Sequence, residues 1–295
     1  MRTVSGFHIV FSSAGLAALA AVLPALPAAG QGKSADALTR ITARADADRA
    51  APGGTFRLAV VFRMTSGCHI YWRNPGEAGR SPRIAVRAPD GYRVGETEWP
   101  RPRTFVSSGG ISAFGYEGTA VLFVPVTAPD VLPAGPGVFE LTVKYLVCED
   151  EACYPGEARR TVRLSAGDAT VPADGGGSAE EDQGLVLAER DRLPRPFAEL
   201  AGARMEWKDG GLVVEGVRPE SAQGPGDVVF YPDPTPGVEC GPPRIDTSGG
   251  RFVLRVPVAV NRGNALGKPV ALRGLVAFGA GPCFGVDFPV PDSYR

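Results

Sequence analysis

VFELTVKYLV, residues 138–147, is the stretch that decides the fold class of this 295-residue chain. Its apolar side chains alternate with the polar Glu140, Thr142 and Lys144 from Phe139 to Tyr145, and a period of two is typical of a strand with one buried face. Other strand-length segments surround it between turns rich in proline and glycine, at Thr55–Phe62, Arg83–Arg87, Ala120–Thr127 and Arg160–Leu164. No helical periodicity competes with this pattern, so this half is predicted to be a β-sandwich.

The second half repeats the pattern of short strands. Predicted strands are Arg204–Trp207, Leu212–Val217, Asp227–Tyr231, Arg251–Val260, Val270–Phe278 and Val286–Val290, with a short helix in Pro194–Leu200. The sequence between the halves contains three consecutive glycines and an acidic run, which is typical of a linker, although one long loop within a single domain is the alternative. We therefore expect a polar segment at 31–50, one β-sandwich at 51–165, a linker at 166–190 and a second β-rich domain at 191–295.

Composition and charge exclude several classes of protein. The 31 Lys and Arg balance 32 Asp and Glu, a net charge of −1, so no basic excess points to nucleic acid. Only two histidines occur, His8 and His69, which excludes a zinc site with three histidine ligands. The sequence has no P-loop, dinucleotide-binding or HExxH motif. Cysteine is therefore the residue best supplied for chemistry.

Residues 1–30 have the pattern of an export signal. Arg2 is the only charged residue in this segment, and an apolar stretch at 9–29 ends in small residues. A membrane anchor is the alternative, but Pro24 and Pro27 disfavour a spanning helix. We expect cleavage at the end of this segment, no membrane span in the mature protein, and a soluble product in an oxidising compartment where disulfides persist.

The five cysteines divide into one close pair and three separated residues. Cys148 and Cys153 flank a predicted hairpin turn, and the odd total leaves at least one cysteine unpaired. In the chain-entropy model their six-residue loop contributes about 2 kcal/mol, against about 4 for the 44-residue loop from Cys240 to Cys283. The short bridge should therefore be easier to reduce, and we expect Cys240 and Cys283 to form a structural disulfide.

The residues alone leave the role of the close pair open. It can be a redox centre, a hairpin staple or a Cu(I) site, since two thiolates can hold Cu(I). Cys68 directly precedes His69, and it can be a third redox cysteine, a copper ligand beside this histidine or a buried thiol. A buried thiol is the commonest role of a lone cysteine, so we favour it.

Three motifs in matching order carry a family resemblance: HIYWRNPGEAG at 69–79, WPRP at 99–102 followed by FGYEG at 114–118, and YLVCEDEACYPGEA at 145–158. Together they resemble the amino-terminal periplasmic domain of the thiol:disulfide interchange protein DsbD, and more closely its ScsB-like relatives, which are associated with copper tolerance. The resemblance covers roughly residues 50–165. The second half is similar in character to the additional β domain of the ScsB-like branch.

This resemblance implies an immunoglobulin-like fold and a reversible disulfide between Cys148 and Cys153. It implies a periplasmic thiol:disulfide oxidoreductase whose pair accepts electrons from a membrane reductase of the DsbD or ScsB type. The pair then passes them to thioredoxin-like or disulfide-bearing clients, and Cys148 forms the mixed disulfide. Phe114 and Tyr116 correspond to a cap that shields the pair, with plain core packing as the alternative.

Two other functions compete with exchange at this stage. One is a Cu(I)-binding copper-tolerance protein that uses the same two thiols together with Cys68 or His69. The other is a purely structural interaction protein made of two β-sandwiches, in which both disulfides are staples. The sequence contains no transmembrane electron-feeding domain, so in the exchange hypothesis the electrons come from a separate protein.

Overall fold

The computed structural model describes residues 33–106, 110, 112–149, 152–166, 179–220, 222, 227–260 and 271–292. Its first half comprises α1 (Ala35–Leu38), β1 (Thr39–Ala45), β2 (Arg49–Ala50), β3 (Thr55–Met64), β4 (His69–Gly76), β5 (Arg83–Arg87), β6 (Arg93–Val94), β7 (Arg103–Val106), β8 (Ser112–Glu117), β9 (Thr119–Thr127), β10 (Gly137–Cys148) and β11 (Cys153–Ala166). The second comprises α2 (Ala179–Arg190), β12 (Arg195–Pro196), a 3-10 turn (Phe197–Glu199), β13 (Arg204–Lys208), β14 (Gly211–Val217), β15 (Val228–Pro232), β16 (Val238–Cys240), β17 (Arg244–Ser248), β18 (Arg251–Val260), β19 (Ala271–Phe278) and β20 (Cys283–Pro289).

The first half is a sandwich of two sheets, which confirms the predicted all-β, immunoglobulin-like class. One sheet has the strand order β1-β3-β9-β6, and the other has the order β2-β11-β10-β4-β8-β7, with β5 also paired to β10. The alternating apolar residues of β10 are buried between the sheets together with Phe62, Leu122 and Trp72. The period-two pattern of the opening motif therefore does place one face of β10 in the core.

β1 and α2 are two of the elements that were not predicted from the sequence. β1 lies within the polar segment 31–50 and pairs with β3 along its whole length, because Ile41, Ala43 and Ala45 supply a buried face. α2 occupies residues 179–190 of the expected linker. Its Val186 packs on the outer face of β3 and β9, where it covers Val61 and Phe123 among others. This cover explains why both strands read as nearly continuous apolar runs.

Charged residues also fasten α2 to the sandwich. The buried Asp182 forms an ion pair with Arg63 on β3 and accepts a hydrogen bond from Thr42 Oγ1 on β1 at 3.2 Å. Arg190 at the other end of α2 lies 3.5 Å from Asp46. α2 is therefore held to the first sandwich by its apolar and its polar contacts alike.

The second half is another sandwich, and its sheets run β12-β20-β19-β15 and β13-β14-β18-β16, with β17 also paired to β18. β19 is buried on both faces. Val276 and Phe278 belong to the core of the second sandwich, whereas Leu275 and Ala277 pack with the core of the first. The two sandwiches therefore share buried surface. In the described residues, no helix has the length and apolar character needed to cross a membrane.

Candidate active site

The close cysteine pair forms a disulfide across the end of the β10–β11 hairpin. Cys148 and Cys153 are register partners, and the backbone N–H of Glu149 donates to the carbonyl of Ala152 at 2.9 Å inside the turn. Lys33 Nζ lies 2.9 Å from the Glu149 carboxylate, and this hydrogen bond raises the pKa of Lys33. The ion pair offsets the negative charge of Glu149, which directly follows Cys148 in the sequence.

The two cysteines differ sharply in exposure. Cys148 is 1 % exposed, whereas Cys153 is an exposed residue. Cys148 is buried because it packs against Tyr71 and Ala113 on the outer face of the larger sheet, with Leu146 at the margin of this cluster. An incoming thiolate can therefore reach Cys153 more readily than Cys148.

Gly79 leaves open the space in which the Tyr71 ring packs against Cys148. Gly79 has a φ of +105°, and a Cβ added to it would lie 2.3 Å from Cε1 and Cζ of Tyr71. The ring therefore occupies the space that any other residue at position 79 would fill. Sequence reasoning missed Tyr71 as part of the site. The signal was available, because Tyr71 lies two residues after His69 and strand alternation puts both on one face.

Aromatic contacts continue outward from Tyr71. The His69 ring centroid lies 5.2 Å from Tyr71 and 5.2 Å from Phe105 of β7. Gly115 on the strand between them makes the second contact possible, because a Cβ there would lie 3.0 Å from Phe105 Cε2. His69, Tyr71 and Phe105 thus form a half-buried aromatic patch beside the disulfide.

Phe114 and Tyr116 do not cover the pair, and the prediction of a cap formed by them is wrong. They alternate with Ala113 along β8, so their side chains point to the opposite face of the sheet. The Phe114 ring packs 5.3 Å from Tyr231 of the second sandwich, and the Tyr116 hydroxyl donates to the carbonyl of Pro100 at 2.7 Å. Both are core residues, as the alternative interpretation held.

The other predicted cysteine roles also need correction. Cys240 and Cys283 are free thiols and form no disulfide. The fold keeps them apart, because Cys240 packs at the second core while Cys283 faces the first, with its Sγ 3.8 Å from the carbonyl of Arg192. Burial raises the pKa of each thiol to about 11, so both are protonated at neutral pH.

Cys68 and His69 do not share a site. Cys68 is buried in the first core, with its Sγ 3.2 Å from Thr65 Oγ1, whereas the His69 ring lies on the outer face. Across the described residues, no group of three or more His, Cys, Asp or Glu side chains converges on a point that could hold a metal ion. The buried thiol that the sequence favoured is therefore the role that Cys68 has here.

The second sandwich packs against β4, the strand that carries Tyr71. Beyond Tyr71 on β4, the Trp72 ring lies 6.0 Å from Tyr231, and Arg73 Nε lies 2.6 Å from Asp233 Oδ1. Asn74 Nδ2 donates to the carbonyl of Pro232 at 2.7 Å. These contacts fix the position of the far end of β4. The sequence motif HIYWRNPG therefore supplies both Tyr71, which packs on Cys148, and the residues that contact the second sandwich.

Comparison with known proteins finds a family match in the first half of the chain. Residues 40–165 match the family model described as the thiol:disulfide interchange protein DsbD, N-terminal. This segment is similar to a DsbD amino-terminal domain. No curated protein sequence matches the chain.

Two solved structures are similar to the chain. The N-terminal periplasmic domain of ScsB from Proteus mirabilis aligns with a TM-score of 0.56 at 20 % identity, covering 85 % of this chain and 92 % of that one. The alignment spans both sandwiches and supports the fold. The DsbD N-terminal domain of Neisseria meningitidis, in its reduced form, aligns with a TM-score of 0.28 at 17 % identity, covering 47 % and 92 %.

Proposed function

We propose that this chain is a periplasmic thiol:disulfide exchange protein that relays reducing equivalents through the Cys148–Cys153 disulfide. The observation that carries the proposal is the position of this disulfide within the segment that matches the DsbD amino-terminal family. The export pattern of residues 1–30 and the periplasmic source of the ScsB relative favour the compartment. A membrane reductase of the DsbD or ScsB type would supply electrons, and thioredoxin-like or disulfide-bearing clients would receive them.

Exposure assigns the two cysteines different roles in this proposal. During reduction, a thiolate of the donor attacks the Sγ of the exposed residue Cys153, and the Cys148 sulfur leaves. During delivery, Cys153 attacks the client disulfide, and Cys148 then resolves the mixed disulfide. Cover by Tyr71 keeps stray thiols from Cys148, so exchange is confined to partners whose surface fits around Cys153.

A redox titration with alkylation trapping tests the proposal. The pair is expected to titrate as one two-electron couple well above about −300 mV, the level below which structural disulfides lie. A pair that stays oxidised below that potential would be a hairpin staple, and the exchange function would be refuted.

Single cysteine variants test the polarity separately. Cys148→Ser leaves an exposed Cys153 thiol and should accumulate mixed disulfides with client proteins or glutathione. Cys153→Ser leaves a thiol that is buried under Tyr71 and should form few. Equal trapping by the two variants would contradict the assignment, and the reverse order would restore the polarity that the family resemblance implied.

A further inference from the structure

A cavity of about 520 Å³ lies where the two sandwiches meet. The first sandwich lines it with Asn74 at the end of β4 and Phe114 on β8, and the second lines it with residues between 232 and 240. Small-molecule sites typically enclose about 300–1,000 Å³ and occur preferentially at interfaces between domains. Cys148 pairs with His69 at the start of β4, whereas this cavity lies at the other end of the strand. The interface cavity is therefore separate from the disulfide and has the size and position of a ligand site.

The walls of the interface cavity are largely apolar and offer few hydrogen-bond donors. Phe114 and three prolines line it, and a proline has no backbone N–H. The Asn74 amide is engaged within the wall, since its Nδ2 donates to the carbonyl of Pro232 at 2.7 Å and its Oδ1 accepts from the backbone N–H of Gly76 at 3.1 Å. Among the described residues that line the cavity, none is lysine, arginine or histidine. An occupant that brings its own donors would complement these walls.

Two carboxylates line the interface cavity, and they differ in their partners. Asp233 is largely buried, and its Oδ1 lies 2.6 Å from Nε of Arg73, so its charge is already paired. Glu77 is exposed, and its backbone N–H donates to the carbonyl of Ser112 at 3.1 Å, which holds this residue against β8. Within the part of the chain that the structure describes, no ion pair is formed by the Glu77 carboxylate. A cation that enters the cavity would meet this uncompensated negative charge.

We propose that the interface cavity binds a small organic cation, an amine or guanidinium group carried on an apolar body. The apolar body packs against Phe114 and the prolines, where contact with carbon removes it from water. The cationic group donates to the Glu77 carboxylate, and charge-assisted hydrogen bonds of this kind are stronger than neutral ones. A metal ion does not fit the site, because no three ligating side chains converge there among the described residues. This inference does not depend on the exchange function proposed above.

Cys240 is a natural reporter of what occupies the interface cavity. This half-buried free thiol lines the wall, so an occupant should shield it from a thiol reagent. Cys283 is the matched control within the same molecule. It is also a free thiol whose pKa is raised by burial to about 11, as is that of Cys240, but it does not line the cavity. In the unreduced chain the Cys148–Cys153 disulfide does not react with the reagent.

The test measures how fast methyl methanethiosulfonate modifies each cysteine of the mature, unreduced chain as 2-phenylethylamine is added, with the sites assigned by peptide mass. Modification of Cys240 should slow saturably, with a midpoint on the order of 1 mM for an occupant of about nine heavy atoms. Modification of Cys283 should not change. The neutral analogue 2-phenylethanol should have a midpoint about fivefold higher, the upper range for an exposed ion pair, and the anion 3-phenylpropionate should not protect.

A pair of variants tests the role of the Glu77 carboxylate. Glu77→Gln removes the charge and keeps the size of an exposed side chain, so it should raise the midpoint for 2-phenylethylamine about fivefold and leave that for 2-phenylethanol unchanged. Glu117→Gln is the matched control, because Glu117 is an exposed carboxylate on β8 that does not line the cavity. It should keep the wild-type midpoints.

Each outcome supports or overturns the proposed cation site. Protection of Cys240 that is stronger with the amine than with the alcohol, and that weakens only in Glu77→Gln, supports it. Equal protection by the amine, the alcohol and the anion would overturn the cationic class of ligand. Absence of protection at about 20 mM amine, well above the expected midpoint, would overturn the site itself. Equal protection of Cys283 would show a general effect of the amine on the fold and would overturn the site as well.

Discussion

Replacing Gly79 by alanine is expected to uncover Cys148 without touching either cysteine. The added Cβ would lie 2.3 Å from two atoms of the Tyr71 ring, so the ring must leave its place over the sulfur. Holding alanine at a φ of +105° costs about 1–2 kcal/mol, and loss of aromatic burial at Tyr71 adds about 1.5–3. We expect the free energy of unfolding to fall by about 2.5–5 kcal/mol.

Gly67→Ala is the matched control for this substitution. Gly67 also has a positive φ, +80°, but nothing lies within 4 Å of an added Cβ, so it incurs only the backbone cost of about 1–2 kcal/mol. Urea unfolding measures the difference between the variants, and iodoacetamide labelling of the reduced proteins measures access to Cys148. The reasoning is refuted if the variants lose the same stability and Cys148 stays as protected in Gly79→Ala as in the wild type.

Three further predictions concern the second half. Alkylation of the unreduced, unfolded chain should label Cys240 and Cys283, because both are free thiols. In the native state at pH 8 both should react about a hundredfold more slowly than a thiol of pKa 9, because burial raises the pKa of each to about 11. A mass that shows a Cys240–Cys283 bridge would contradict this prediction. Asp182→Ala should lower the free energy of unfolding by about 2–3 kcal/mol and expose α2 to protease, because it removes the ion pair to Arg63; unchanged urea curves would count against that docking. Burial raises the pKa of Asp233, so the contribution of this residue to stability is present at low pH and is lost as pH rises through its folded-state pKa. The free energy of unfolding of wild type relative to Asp233→Asn should therefore increase as pH falls from 6 towards 4. A difference that stays constant over this range would disprove the prediction.

The strands that could be predicted from the sequence are those whose apolar and polar residues alternate within the strand itself or end at a recognisable turn. β10 and β14 follow directly from alternation or from a hairpin signal, because each strand buries its own apolar face. α2 and β1 were missed because their formation depends on what they cover or pair with, and α2 shows only weak periodicity of its own. The cap prediction erred for a related reason: Phe114 and Tyr116 were chosen by motif, whereas the face of β8 on which they lie is set by pairing to β4.

The disulfide bridges differ in predictability for the same physical reason. The Cys148–Cys153 bridge needs only a hairpin in the correct register, which neighbouring residues specify. A Cys240–Cys283 bridge would have required two sheets to present their cysteines to one core, and the fold instead turns Cys283 towards the first sandwich. Loop-closure entropy cannot make this choice, since it ranks bridges by length and contains no information about faces.

β4 connects the second sandwich to the residue that covers the disulfide in the first. Tyr71, which covers Cys148, is followed directly by Trp72 and Arg73, which dock on Tyr231 and Asp233. Adjacent residues of a strand point to opposite faces, so one strand can hold the cover on one side and the docking contacts on the other. Weakening the contacts of Trp72 and Arg73 with the second sandwich should therefore make the position of Tyr71 on Cys148 less fixed. Asp233→Ala should therefore speed alkylation of reduced Cys148, although position 233 lies in the other sandwich. Labelling rates that match wild type would show that the two surfaces of β4 act independently.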